Sequence, residues 1–88
     1  MSLKFTGEVK VEKATGDLQV MAYLGDFPVR CIVKRGAVTA GLNGFQVSDV
    51  QALELYYTRR AEIHGIASQR YDNGEYLPTV SRADMSVH

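Results

Sequence analysis

The 88-residue chain has no tryptophan, one cysteine, two prolines and two histidines, and its ten Lys and Arg balance its ten Asp and Glu. Each scarcity excludes something. A single thiol cannot form an intrachain disulfide, a four-thiolate zinc site or a CxxC redox pair. Two histidines, one of them the terminal His88, make no metal site by themselves, so no metal is expected. Zero net charge argues against a strongly basic nucleic-acid binder. No GxGxxG or GxxxxGK[ST] run occurs, so no nucleotide cofactor is expected either. No apolar stretch approaches the ~20 residues of a membrane span. Met1-Ser2-Leu3-Lys4-Phe5 lacks the apolar core of a secretory signal. These features predict a cytoplasmic protein without a membrane partner, and the free Cys31 suits that compartment.

What is present is a chain of ordinary apolar content, 45%. It reads as one domain over residues 1–88, with 81–88 a turn and a frayed tail. Val9 and Val11 alternate with Glu8, Lys10 and Glu12 as in a half-exposed strand. A second strand alternates Leu18, Val20, Ala22 and Leu24 with Gln19, Met21 and Tyr23. Gly25-Asp26 suits a tight type II′ turn, in which the first loop residue takes positive φ. A third strand sets Phe27, Val29, Cys31 and Val33 on one face, opposite Pro28, Arg30, Ile32 and Lys34. A short helix is expected over Ala37–Leu42, stopping at Gly41 or Asn43-Gly44. Glu75–Val80 reads as a last strand, on a sheet edge because Pro78 lacks an N–H.

The main helix has the clearest signals. Ser48 with Gln51 forms a capping box, and Asp72-Asn73-Gly74 is a stop. At about 100° per residue, Val50, Leu53, Tyr57, Ala61 and His64 fall on one stripe. Tyr56, Arg60, Ile63 and Ala67 widen it, and Leu55 and Ile66 fall nearly opposite. The expected fold is therefore α+β. A three- to four-stranded antiparallel sheet carries the long helix on one face and the short helix at one end.

The hairpin, the Val29-Arg30-Cys31-Ile32 strand, the short helix, and the long helix with Arg59-Arg60, Ile63 and Ala67 come in a familiar order, closed by Val80…Asp84. In that order the chain resembles a family of small proteobacterial proteins known only as domain of unknown function 1488. The resemblance implies an α+β domain with an antiparallel sheet. It implies no catalytic residue, because the family has none assigned.

Three functions are weighed. The leading one is a non-enzymatic binding or regulatory module that pairs with itself or with a small protein. Its interface would use Met21 and Tyr23 on the polar side of the second strand, and Leu55 and Ile66 on the helix. A helix on one sheet face is expected to leave one of its two stripes uncovered, unless Leu42 and Phe45 cover it. The alternative is weak nucleic-acid binding through Arg59, Arg60 and Tyr56, because cations interleaved with aromatics hold phosphates and stack bases. The last is a thiol enzyme using Cys31 with His64 as base. Cys31 shares its strand face with Val29 and Val33, so a buried, inert thiol is expected instead.

Overall fold

The computed structural model describes residues 3–41 and 47–85. The helix stop at Asn43-Gly44, the cover by Leu42 and Phe45, and residues 86–88 of the tail lie outside them. Strands β1 (Lys4–Val11), β2 (Leu18–Leu24) and β3 (Phe27–Val33) are followed by helices α1 (Arg35–Val38) and α2 (Asp49–Asp72), and then by strand β4 (Thr79–Val80). The sheet order is β1-β2-β3-β4. The first three strands form the expected antiparallel meander. β4 departs from the expectation by running parallel to β3, with Ile32 opposite Thr79 and Val33 opposite Val80. The cause is the helical connection: a chain leaving β3 and returning through α2 re-enters the sheet in the same direction. The sheet is thus mixed and mostly antiparallel, with Pro78 at the start of its edge strand.

Local chemistry explains the elements. Gly25 takes φ +64° in the β2–β3 hairpin, as a II′ turn demands. The Ser48 hydroxyl accepts from the Gln51 N–H at 3.2 Å, and Gln51 Oε1 accepts from the Ser48 N–H at 2.9 Å, which closes the capping box. Gly74, at φ +103°, follows the end of α2. Helix α1 is only four residues long. Arg35 anchors it: its N–H donates to Asp17 at 3.0 Å, and its guanidinium pairs with Asp49 at 2.6 Å, tying the β1–β2 turn to the start of α2.

The core lies between one sheet face and α2. Leu18, Val20, Ala22, Val29, Cys31 and Val33 are buried from the sheet, as the alternation predicts. Phe27 is a correction: it is 64% exposed, because it pairs with Leu24 at the hairpin end. The face α2 turns inward is also a correction. Ala52, Tyr56, Ile63 and Ala67 are its buried residues. They fall within about 60° of arc, roughly 100° round from the expected stripe. Val50 is 65% exposed, Tyr57 is 46% exposed, and Ala61 is exposed as well. Leu53 is half-buried on one flank of this arc, and Leu55 and Ile66 are half-buried on the other, all packed against the core. The expected second stripe is therefore the far flank of a single buried face. Arg59 and Arg70 share that arc and masked it in the sequence.

The segment after β4 is better built than a frayed tail. Residues Arg82–Asp84 make a 3₁₀ turn, and Met85 is buried behind it. Asp84 accepts from the Ser81 N–H at 2.9 Å and pairs with Arg70, which also pairs with Glu75 at 2.9 Å. These carboxylates hold the chain on both sides of β4 against the end of α2. No helix among the described residues is long and apolar enough to cross a membrane.

Candidate functional site

Strand β1 is not regular. Phe5 pairs with Ala22 and Val9 with Val20, so the three residues Thr6 to Glu8 stand opposite the single Met21. Gly7 makes this bulge with φ +88°, a conformation costly for any residue with a Cβ. The bulge bends the start of β1 over α2 and leaves a groove of about 960 Å³ between them. Phe5, Tyr56, Arg60, His64, Ser68 and Asp72 are among its lining residues.

Inside the groove the His64 ring stacks on Phe5, centroids 3.8 Å apart and planes within 2°. A 2.6 Å hydrogen bond joins the Tyr56 hydroxyl to His64 Nε2. Burial holds His64 below its usual pKa, helped by the Arg60 charge. Burial also pushes the Tyr56 phenol up to about 12, with smaller raising effects from Tyr57 and Cys31. At neutral pH both groups are uncharged, and each satisfies the other. The Ser68 hydroxyl already accepts from the Leu3 N–H at 3.3 Å. Both side chains belong to α2, so their bond braces the helix, while the Phe5 stack and the Leu3–Ser68 bond tie the start of β1 and the residue before it to that helix.

Cys31 lies in the core, and burial pushes its thiol up to about 11. Among the described residues no hydrogen bond joins it to His64, whose Nε2 is engaged by Tyr56. The thiolate that nucleophilic chemistry needs is therefore suppressed. Among the described residues no group of three His, Cys, Asp or Glu is placed to hold a metal ion.

The nucleic-acid set does not assemble. Tyr56 is 1% exposed and cannot stack a base, so it is withdrawn as a contact. Arg59 and Arg60 point to opposite flanks of the buried arc, about 100° apart. Leu55 and Ile66 are likewise withdrawn as interface residues, because the domain's own core takes them up.

Met21 and Tyr23 remain, half-buried on the sheet face away from α2. The pairing places Tyr23 between Lys4 and Pro28, and Gln19 between Lys10 and Ile32. Met21 sits between the bulge and Arg30. Glu8, Lys10, Gln19, Met21 and Arg30 line a shallow depression of about 460 Å³ on this face. Glu8 and Arg30 were missed from sequence. Arg30 was legible from the hairpin register, which sets it opposite Met21. Glu8 was not, because its row depends on the β1–β2 register, which the six-residue 12–17 connection sets.

No family model and no curated protein matches the sequence. A solved structure matches in fold. It is the crystal structure of a protein of unknown function from the DUF1488 family of Shewanella loihica PV-4, with a TM-score of 0.79 and 16% identity over 92% of this chain and 93% of that one. The chain thus has the fold of a DUF1488 protein, the α+β arrangement that the resemblance implied. At this identity the likeness concerns fold alone, and it brings no substrate, partner or catalytic residue.

Proposed function

We propose that the chain is a small non-enzymatic binding module that recognises protein through the sheet face opposite α2. One observation carries the reading. Met21, Tyr23 and Ile32 are only half-buried at the centre of that face, and no other described element lies over it. Partly exposed apolar side chains grouped on one surface and rimmed by charge are the composition of a recognition surface. The suppressed Cys31 thiol and the mutually satisfied Tyr56–His64 pair support the non-enzymatic part. A buried thiol that stays reduced fits the cytoplasm as the working compartment. Nucleic-acid binding is the weaker reading, because Tyr56 is buried and Arg59 and Arg60 diverge by about 100° round the helix.

The test uses the tagged chain as bait in lysate of cells that also express an untagged copy, with and without nuclease. Wild type is compared with Met21→Ser combined with Tyr23→Ser, and with Val50→Ser on the exposed side of α2. Capture lost only in the sheet-face variant supports the reading. Capture indifferent to that variant, or abolished by nuclease, overturns it.

A further inference from the structure

Across the open sheet face the central row reads Glu8, Met21, Arg30. Among the described residues neither the Glu8 carboxylate nor the Arg30 guanidinium has an ion pair. They stand on strands two spacings apart, about 10 Å, with Met21 between them. Opposite charges therefore flank an apolar centre, each without an ion-pair partner among the described residues.

We propose that this face pairs with a second copy of the chain about a two-fold axis running along β2. The proposal rests on the binding-module reading and names its partner. An axis along β2, lying between two facing sheets, carries β1 of one copy over β3 of the other. Arg30 then meets Glu8 of the second copy, twice in the dimer. Met21 and Tyr23 lie on the axis against their own counterparts. Lys4 and Lys10 come over Pro28 and Ile32, where their methylene stems can lie flat with the ammonium groups in water. The other in-plane axis, across the strands, would set Arg30 against Arg30 and Lys4 against Lys10. The charge pattern selects the first axis. Facing sheets cross at about 30°, which displaces outer rows most and the central row least. Asp17, farther along the face, is already paired with Lys34 at 3.2 Å.

Pairing through the sheet edges is disfavoured. The Thr6–Glu8 bulge interrupts one edge, and the other is the two-residue β4 behind Pro78. The face itself is small. One strand of eight residues and two of seven span roughly 14 by 25 Å, well below the ~800 Å² per partner of a standard interface. The dimer is accordingly weak and concentration-dependent.

Light scattering from about 1 μM to 1 mM reads the association, with a midpoint expected on the order of 100 μM. Arg30→Glu alone and Glu8→Arg alone each turn two exposed attractions into repulsions and should raise the midpoint about tenfold. An equimolar mixture of the two variants should restore wild-type association, because every charge again meets its opposite. Rescue by mixing cannot come from a folding defect. A wild type that stays at 9.7 kDa throughout, or a mixture no tighter than its components, overturns the proposal. A monomeric wild type whose capture still depends on Met21 and Tyr23 rejects the second copy and keeps the binding module. Capture indifferent to both residues rejects the module itself.

Discussion

Adjacent tyrosines at the middle of α2 give the sharpest test of which helix face meets the sheet. Tyr56 is 1% exposed and its hydroxyl is bonded to His64 at 2.6 Å, whereas Tyr57 is 46% exposed and its hydroxyl bonds to no described residue. Removing a buried aromatic ring costs about 3–5 kcal/mol, so Tyr56→Ala should lose that much. A domain of this size has roughly 4–13 kcal/mol in total, and that variant can come close to unfolding. Tyr56→Phe is the milder probe. It keeps the ring and removes one hydrogen bond, at a cost of about 1 kcal/mol, because half-buried His64 can turn to water instead. Tyr57→Ala should cost less than about 1 kcal/mol, and Tyr57→Phe close to nothing. Urea unfolding followed by circular dichroism measures all four, with unchanged m-values as the check that only stability moved. If Tyr57→Ala costs as much as Tyr56→Ala, the helix is turned as the simple periodicity suggests and the packing described above is wrong.

Cys31, buried with its thiol pushed up to about 11, should react with a thiol reagent at least ~100-fold more slowly in the native protein than in urea. Equal rates would place it at the surface. His64 is held by burial and by Arg60 below the ordinary histidine value of 6.5, so its stability contribution is complete above about pH 6.5. As pH falls below that value the unfolded chain takes up the proton first, and the urea midpoint should fall; a midpoint that rises on acidification from pH 7 refutes the assignment. Asp17 and Asp84 are also lowered, and add a second loss of stability below about pH 3.8. Arg70→Met should free Asp84 and Glu75. Amide exchange should then speed at Ile32 and Lys34, which donate to Pro78 and Val80 carbonyls, and stay unchanged between β2 and β3.

Where the sequence spoke clearly, a single local rule was enough. Period-two alternation fixed the buried faces of β2 and β3, Gly25 their turn, and Ser48 with Gln51 the start of α2. Each of these is decided by neighbours within four residues. The helix phase was not, because its buried arc mixes Tyr56 and Ile63 with two small alanines and with Arg59 and Arg70. The exposed arc holds Val50, Tyr57 and Ala61. Hydrophobicity alone favours the wrong side, and only the sheet, together with the distant carboxylates Glu75 and Asp84 that engage Arg70, decides the matter. The direction of β4 was hidden for the same reason, since it depends on the path of the whole α2 connection. The candidate face divides likewise. Met21 and Tyr23 follow from strand parity and were legible. Their opposition to Arg30 follows from a two-residue hairpin and could have been read. Glu8 shares the face of Lys10 by alternation, but its row follows the Val9–Val20 register, which the six-residue 12–17 connection sets and no tight-turn rule fixes. The surface that carries the functional proposal is thus legible where register is set by a tight turn, and illegible where a longer connection sets it.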